Sequence, residues 1–260
     1  MIGIRTMGGL GNLMFQVATG ETWRSMGYDV VYTNIDQNLD YIAQIYSFKR
    51  HSDVYKSLWC GFDWDKHKAP QNVSFKPAHV PFTFTEIKPV DGVEYVGYFQ
   101  CEKYFPNREL VTRLFEPSDW LKEQIDFPWA DEMTCSIHVR RQDYLKLSDY
   151  HTVLDIDYYD RAIWTLEPFM IDRYLVFSDD IEWCKNTFVG DRFEFMNSKE
   201  YVAMYQMAKC NHNIMANSSL SYWGAYLGGN DNRVVCAPEK WFGIKGENPK
   251  DIYDEHWIKI

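Results

Sequence analysis

No apolar run in this chain approaches the ~20 residues that a membrane-spanning helix needs. The opening segment MIGIRTMGGLGN has neither a basic n-region nor an apolar h-region, so no signal peptide is read there and a reducing, cytoplasmic setting is expected. The six cysteines (Cys60, Cys101, Cys135, Cys184, Cys210 and Cys236) form no C-x-x-C pair and no zinc-like spacing. H-E-x-x-H and G-x-S-x-G are both missing, which leaves zinc-protease and serine-hydrolase chemistry without a foothold. Basic residues are also in short supply. Lys and Arg total 27 against 37 Asp and Glu, for a formal charge of −10. That balance opposes a sequence-independent grip on nucleic acid or docking on anionic lipid. It does not oppose a small anion held by a local arginine cluster.

What is present is a globular chain of 260 residues, 46% of them hydrophobic. Aromatic residues reach 17%, which is read chiefly as core filling. The first half opens as strand (1–6), glycine turn, helix (Asn12 to Ser25) and second strand (28–33), with another strand at 93–99 and two helical patterns from about 107 to 125. Residues 40–92 give no clear pattern. The second half alternates apolar runs at 133–139, 173–178, 192–196, 212–216 and 233–237 with helical patterns near 157–170, 180–188, 198–210 and 218–228. Such near-continuous apolar strands between helices indicate a parallel sheet covered on both faces. The expected fold is α/β: two Rossmann-like halves facing across a cleft, residues 1–127 and 128–260, divided near Phe127-Pro128. Ligand is expected at the carboxyl ends of the strands. Residues 1–125 carry a net −2 and residues 126–260 a net −8.

Four segments could carry chemistry. Gly8-Gly9-Leu10-Gly11-Asn12 lies between a strand and a helix, where glycines admit close backbone approach and free N–H groups face an anion. It satisfies neither G-x-G-x-x-G nor the P-loop pattern, so a tight turn capped by Asn12 is an equal reading. Ser136-Ile-His-Val-Arg-Arg-Gln-Asp143 ends a buried strand with His138, Arg140, Arg141 and Asp143. Alternation puts His138 and Arg140 on one face and Arg141 on the other. An arginine fork there can grip phosphate bidentately, whereas the competing reading is an Arg–Asp structural pair. Phe177-Ser178-Asp179-Asp180 could bond ribose or guanine, or cap the next helix. Asn217-Ser218-Ser219 leads into a helix and could hold a diphosphate or simply cap it. Two D-x-D matches, Asp63-Trp-Asp65 and Asp155-Ile-Asp157, are close to chance among 37 acids.

The order of these blocks resembles the family 11 glycosyltransferases, the α-1,2-fucosyltransferases. Gly8 to Gln16 is similar to the family's G-G-L-G-N-Q-M-F-Q, and His138-Val-Arg-Arg-Gln-Asp143 to its H-x-R-R-x-D. Phe177–Asp180 resembles F-S-D-D, Asn217–Leu227 resembles N-S-S-F-S-W-W-G-A-W-L, and Gly97–Phe105 resembles the segment before the arginine block. Leu13 replaces the usual Gln, while Leu220, Tyr222 and Tyr226 replace aromatic family residues.

The resemblance implies a GT-B fold and inverting transfer of L-fucose from GDP-fucose to a glycan acceptor, a terminal galactoside, with no cofactor and no metal. It implies that Arg140 binds the donor phosphates, that His138 with Asp179 or Asp180 lies near the nucleoside, and that Ser218 and Ser219 lie near the phosphates. Gly9, Gly11, Asn12, Arg141 and Asn217 complete the expected donor-binding set. The residues 1–127 would then serve the acceptor and 128–260 the donor. Arg140 should stabilise the departing diphosphate. Asp143 is the favoured general base and Glu102 the second choice. A transferase of another GDP-6-deoxysugar, or a non-catalytic sugar- or nucleotide-binding protein, are the competing classes.

Overall fold

A computed structural model describes residues 1–45, 55–229, 232–247 and 249–260. The chain divides into two compact units: Met1–Glu123 with Pro249–Ile252, and Gln124–Asn248 with Tyr253–Ile260. Each contains its own all-parallel sheet.

In the first unit, β1 (Ile2–Arg5), α1 (Leu10–Ser25) and β2 (Val30–Thr33) form a β-α-β start to a Rossmann-like unit, with β1 and β2 paired in parallel. They are followed by α2 (Ile35–Ile45), α3 (Trp64–His67), β3 (Lys76–His79), β4 (Val93–Val96), α4 (Arg108–Leu114) and α5 (Asp119–Lys122). The sheet order is β2-β1-β4-β3. Ile2, Ile4, Val30, Tyr32 and Tyr95 are buried together with α1, and Tyr32 Oη donates to Val17 O at 3.1 Å. Trp23 meets Tyr95 edge-on at 5.2 Å. The expected strand at 93–99 stops at Val96 because Phe99 takes φ 53°, which no strand accommodates.

One expectation is corrected here. The helix expected from Asn12 begins at Leu10, and its N-cap is Gly9 rather than Asn12. Gly8, at φ +81°, makes the turn. Asn12 therefore lies inside the first helical turn, where its Oδ1 accepts from Gln100 Nε2 at 2.7 Å. Leu13 is buried, which suits the apolar replacement.

The second unit contains β5 (Thr134–Val139), α6 (Gln142–Lys146), α7 (Ile156–Leu166), β6 (Arg173–Ser178), α8 (Ile181–Thr187) and β7 (Phe193–Phe195). It continues with α9 (Glu200–Lys209), β8 (His212–Ile214), α10 (Ser219–Tyr226), β9 (Val235–Ala237) and β10 (Ile258–Lys259). The order is β10-β9-β8-β5-β6-β7. Every β5 residue is buried, as a central parallel strand requires. Cys135, Ile137 and Val139 face a core with Tyr159, Ala162 and Leu166 of α7. The opposite face is polar, and there Asn213 Nδ2 donates to Ser136 Oγ at 2.6 Å and to Met207 O at 2.9 Å. Gly224 permits α10 to lie on α9, since a Cβ there would stand 2.8 Å from Met207 Cβ. Among the described residues no helix is long and apolar enough to cross a membrane.

Candidate active site

Three of the four motif blocks converge at one place. His138-Val-Arg-Arg ends β5, Ser178-Asp-Asp ends β6, and Asn217-Ser-Ser follows β8. These strands are neighbours in the order β8-β5-β6. β5 leads on to β6 on one side, whereas its other neighbour β8 leads on to β9 in the opposite direction, so the topological switch point where open α/β sheets bind ligands lies between β5 and β8.

Arg140 is partly buried, its side chain 23% exposed, with Nη2 at 2.9 Å from Asp143 Oδ2 and Nε at 3.3 Å from Asp179 Oδ2. Its guanidinium also lies 5.9 Å from the Tyr144 ring, one helical turn onward. Arg141 points elsewhere. Its Nε lies 3.3 Å from Asp180 Oδ2 and its guanidinium stacks 4.0 Å over Trp183. Alternation along the strand end therefore separates the two arginines, leaving Arg140 toward Asp143 and Arg141 packed between α8 side chains.

The two aspartates also divide. Asp180 N-caps α8 by accepting from Trp183 N at 3.3 Å. Asp179 accepts from Arg141 N at 2.9 Å, which ties the end of β6 to the end of β5. Burial raises the Asp179 carboxyl above the usual range, against the opposing pull of Arg140 and of backbone N–H groups. Asp143 is half exposed and is the most accessible acid of the cluster.

His138 is buried, and burial together with the Arg140 charge pushes its imidazole down to about 3. It is therefore neutral at physiological pH, and its Nδ1 has no hydrogen-bond partner among the described residues. Ser218 is the N-cap residue of α10 yet makes no side-chain cap bond, and Ser219 is the first helical residue; both are partly accessible. Asn217 is buried and its Nδ2 donates to Trp241 O at 2.7 Å and Thr152 O at 3.0 Å. Its Oδ1 has no partner among the described residues.

Sequence reasoning missed the residues that join the blocks. Tyr144 Oη donates to Asn217 O at 2.8 Å, linking the arginine block to the serine block. Its ring stacks on His151 at 4.2 Å. Trp183 supports Arg141, and Gln142 Nε2 donates to Asp179 O. The available signal was spacing: Tyr144 is four residues beyond Arg140, and Trp183 is three beyond the Asp180 cap.

Gly9, Gly11 and Asn12 belong to the first unit. There Gln16 clasps the glycine loop, accepting from Met7 N at 3.0 Å and donating to Gly97 O at 3.2 Å. With the Asn12–Gln100 bond, this joins the glycine block to the Gly97-Tyr-Phe-Gln100 block. Glu102 opens a one-turn 3-10 helix, Glu102–Tyr104, in the same unit. In both D-x-D matches the first aspartate is a helix cap: Asp63 accepts from Asp65 N and Lys66 N, and Asp155 from Tyr158 N.

Residues 101–260 match the protein family described as Glycosyl transferase family 11. The O-antigen biosynthesis glycosyltransferase WbnK of Escherichia coli is 38% identical over 136 residues, 49% of this chain and 44% of that protein. An Escherichia coli alpha-1,2-colitosyltransferase is 33% identical over 185 residues, 65% of this chain and 63% of that one. The human galactoside alpha-(1,2)-fucosyltransferase 1 is 30% identical over 179 residues, 59% and 48% of the two chains. The matched part thus spans roughly half to under two thirds of these relatives' length. Among solved structures, the fucosyltransferase NodZ from Bradyrhizobium superposes with a TM-score of 0.52 at 11% identity, covering 86% of this chain and 91% of that one. That likeness concerns the fold, which is GT-B. With the motif blocks in family order and the family match extending from Cys101 through the arginine cluster to the last residue, the chain belongs to glycosyl transferase family 11.

Proposed function

We propose that this protein transfers L-fucose from GDP-fucose to a hydroxyl of a terminal galactoside, with inversion and without a metal. The observation that carries the reading is Arg140. It sits at the carboxyl end of β5, at the sheet's switch point, flanked by the two motif-bearing strand ends. Its guanidinium is held by carboxylates and is in reach of solvent, so a diphosphate can take the place of Asp143 on it.

In the reaction the bond from sugar C1 to the diphosphate oxygen breaks, and the electron pair leaves with GDP. Arg140 meets the charge that grows on that oxygen. The acceptor oxygen bonds to C1 from the opposite face, and Asp143 takes its proton. Donor binding and base release are coupled in this scheme, because the phosphate that engages Arg140 frees the Asp143 carboxylate. His138, neutral, and Asp179 face the nucleoside side, and the partly accessible Ser218 and Ser219 with the start of α10 complete the phosphate contacts. Arg141 and Asp180 hold the scaffold through Trp183. Residues 128–260 form the donor side and residues 1–127 the acceptor side, in a reducing cytoplasmic setting that suits six unpaired cysteines.

The second reading, another GDP-6-deoxysugar as donor, is favoured by the similarity to an alpha-1,2-colitosyltransferase. A panel of nucleotide sugars, scored by GDP release with and without galactosides, separates the two. Arg140→Ala should abolish transfer and weaken GDP binding together. Asp143→Asn should lower turnover while GDP affinity holds. Transfer intact in Arg140→Ala, or loss of activity in excess EDTA, refutes the corresponding part, and GDP binding without any turnover makes the protein a non-catalytic binder.

A further inference from the structure

The first unit has a feature that the transfer chemistry above does not use. Central strands of a small parallel sheet are expected to be apolar on both faces. Yet β4 carries Glu94 and β1 ends in Arg5. The register pairs Gly3 with Glu94 and Arg5 with Thr33, which puts Gly3, Arg5, Thr33 and Glu94 on one sheet face, away from α1. Glu94 is buried, with its side chain 8% exposed, and it accepts from Arg5 Nη2 at 2.6 Å and from Thr33 Oγ1.

Gly3 makes room for this carboxylate. A Cβ at Gly3 would stand 3.3 Å from both Cα and Cβ of Glu94. Arg5 and Thr33 stand at the carboxyl ends of β1 and β2, the end at which open α/β sheets take their ligands. The polar face opens there into a cavity of about 670 Å³, within the range of small-molecule sites.

The cavity wall indicates the ligand's chemistry. Each of its cations is matched by a carboxylate: Arg5 by Glu94, and Lys68 by Asp36. The wall therefore carries no net charge of its own and offers no net attraction to an ion of either sign. Gln37 and Gln71 add carboxamides that both donate and accept. Phe75, half-buried, offers an apolar ring against which the C–H face of a sugar can lie. Carboxylate, carboxamides and one aromatic ring around an electrically balanced cavity fit an uncharged polyol ring.

We propose that this cavity binds a neutral saccharide, with Glu94 accepting hydrogen bonds from its hydroxyls, and that this saccharide is the acceptor. Its identity as acceptor rests on the glycosyl-transfer reading; saccharide binding does not. Glu94 is a binding residue in this proposal and takes no proton.

The test is saturation-transfer NMR on the intact chain without donor, using lactose, N-acetyllactosamine and galactosyl-β-1,3-N-acetylgalactosamine, with 3′-sialyllactose as the charged comparison. Glu94→Gln should weaken binding of the neutral galactosides about tenfold or more. Gln71→Trp, at an exposed wall position, fills the cavity while keeping the Arg5–Glu94 pair, and should do the same if Glu94→Gln fails to fold. GDP binding should persist in both variants. No saturation transfer from any neutral galactoside, or equal transfer in wild type and variants, overturns the proposal. Preferred binding of sialyllactose, or loss of GDP binding in Gln71→Trp, overturns it as well. The two readings fail separately. A protein that binds galactosides through Glu94 but releases no GDP from any GDP-sugar loses the transferase reading alone. One that turns over GDP-fucose but ignores Glu94→Gln and Gln71→Trp loses this one alone.

Discussion

The neutral, buried imidazole of His138 gives a stability signature that can be measured without substrate. In the folded chain it titrates down at about 3, pushed there by burial and by Arg140, against 6.5 for an unperturbed histidine. Above the unperturbed value both states carry neutral imidazole, and stability is full. As pH falls below it, the unfolded chain takes up a proton that the folded chain refuses, so stability is lost between those two values. Between roughly pH 7.5 and roughly pH 5 the loss from this residue alone is about 2 kcal/mol. His67, His151 and His212 are also lowered by burial and add slope of the same sign. A difference between wild type and His138→Gln cancels those contributions. Urea unfolding at the two pH values should therefore show wild type losing about 2 kcal/mol more than His138→Gln, with an unchanged m-value. Equal losses in the two proteins would refute the claim that His138 is held neutral, and with it the assignment of an uncharged group beside the nucleoside.

Three further outcomes follow from packing and charge. Gly224→Ala should destabilise the chain by about 1–3 kcal/mol in chemical denaturation, because its methyl meets Met207 Cβ where α10 lies on α9; no loss would show that the two helices can separate freely. Tyr144→Phe removes the bond to Asn217 O, and should cost about 1 kcal/mol and raise the KM for donor more than it lowers kcat; an unchanged KM would remove Tyr144 as the support of the serine turn. Raising salt should weaken GDP binding only a few-fold, because short-range contacts at Arg140 act within a unit whose overall charge is negative. A steep dependence would mean that long-range attraction contributes instead.

The features readable from sequence are those whose physics is local. A buried apolar run followed by polar or charged residues marks the end of a parallel strand, and Arg140, Asp179 and Ser218 are all found at or just beyond such ends. Failures occur where a distant partner decides. Asn12 looks like a helix cap because cap preference is local, but Gln100, 88 residues away, holds its side chain, and Gly8 makes the turn. That Arg140 and Arg141 take opposite sides is local and legible from strand alternation, but that Asp180 and Trp183 hold the second arginine is not.

Glu94 is the clearest case. In the four-residue strand VEYV it reads as an ordinary polar position on a half-exposed strand. Only the register that sets it beside Gly3, with Arg5 and Thr33 on the same face, makes it a buried carboxylate over a cavity. The global −10 has the same lesson in it. Charge summed over the chain argues against a grip on anionic polymers, yet it says nothing of pairing. At Arg140 the excess of carboxylates orients a guanidinium that a diphosphate can claim, and at Glu94 equal numbers of each sign balance a wall suited to a neutral ring.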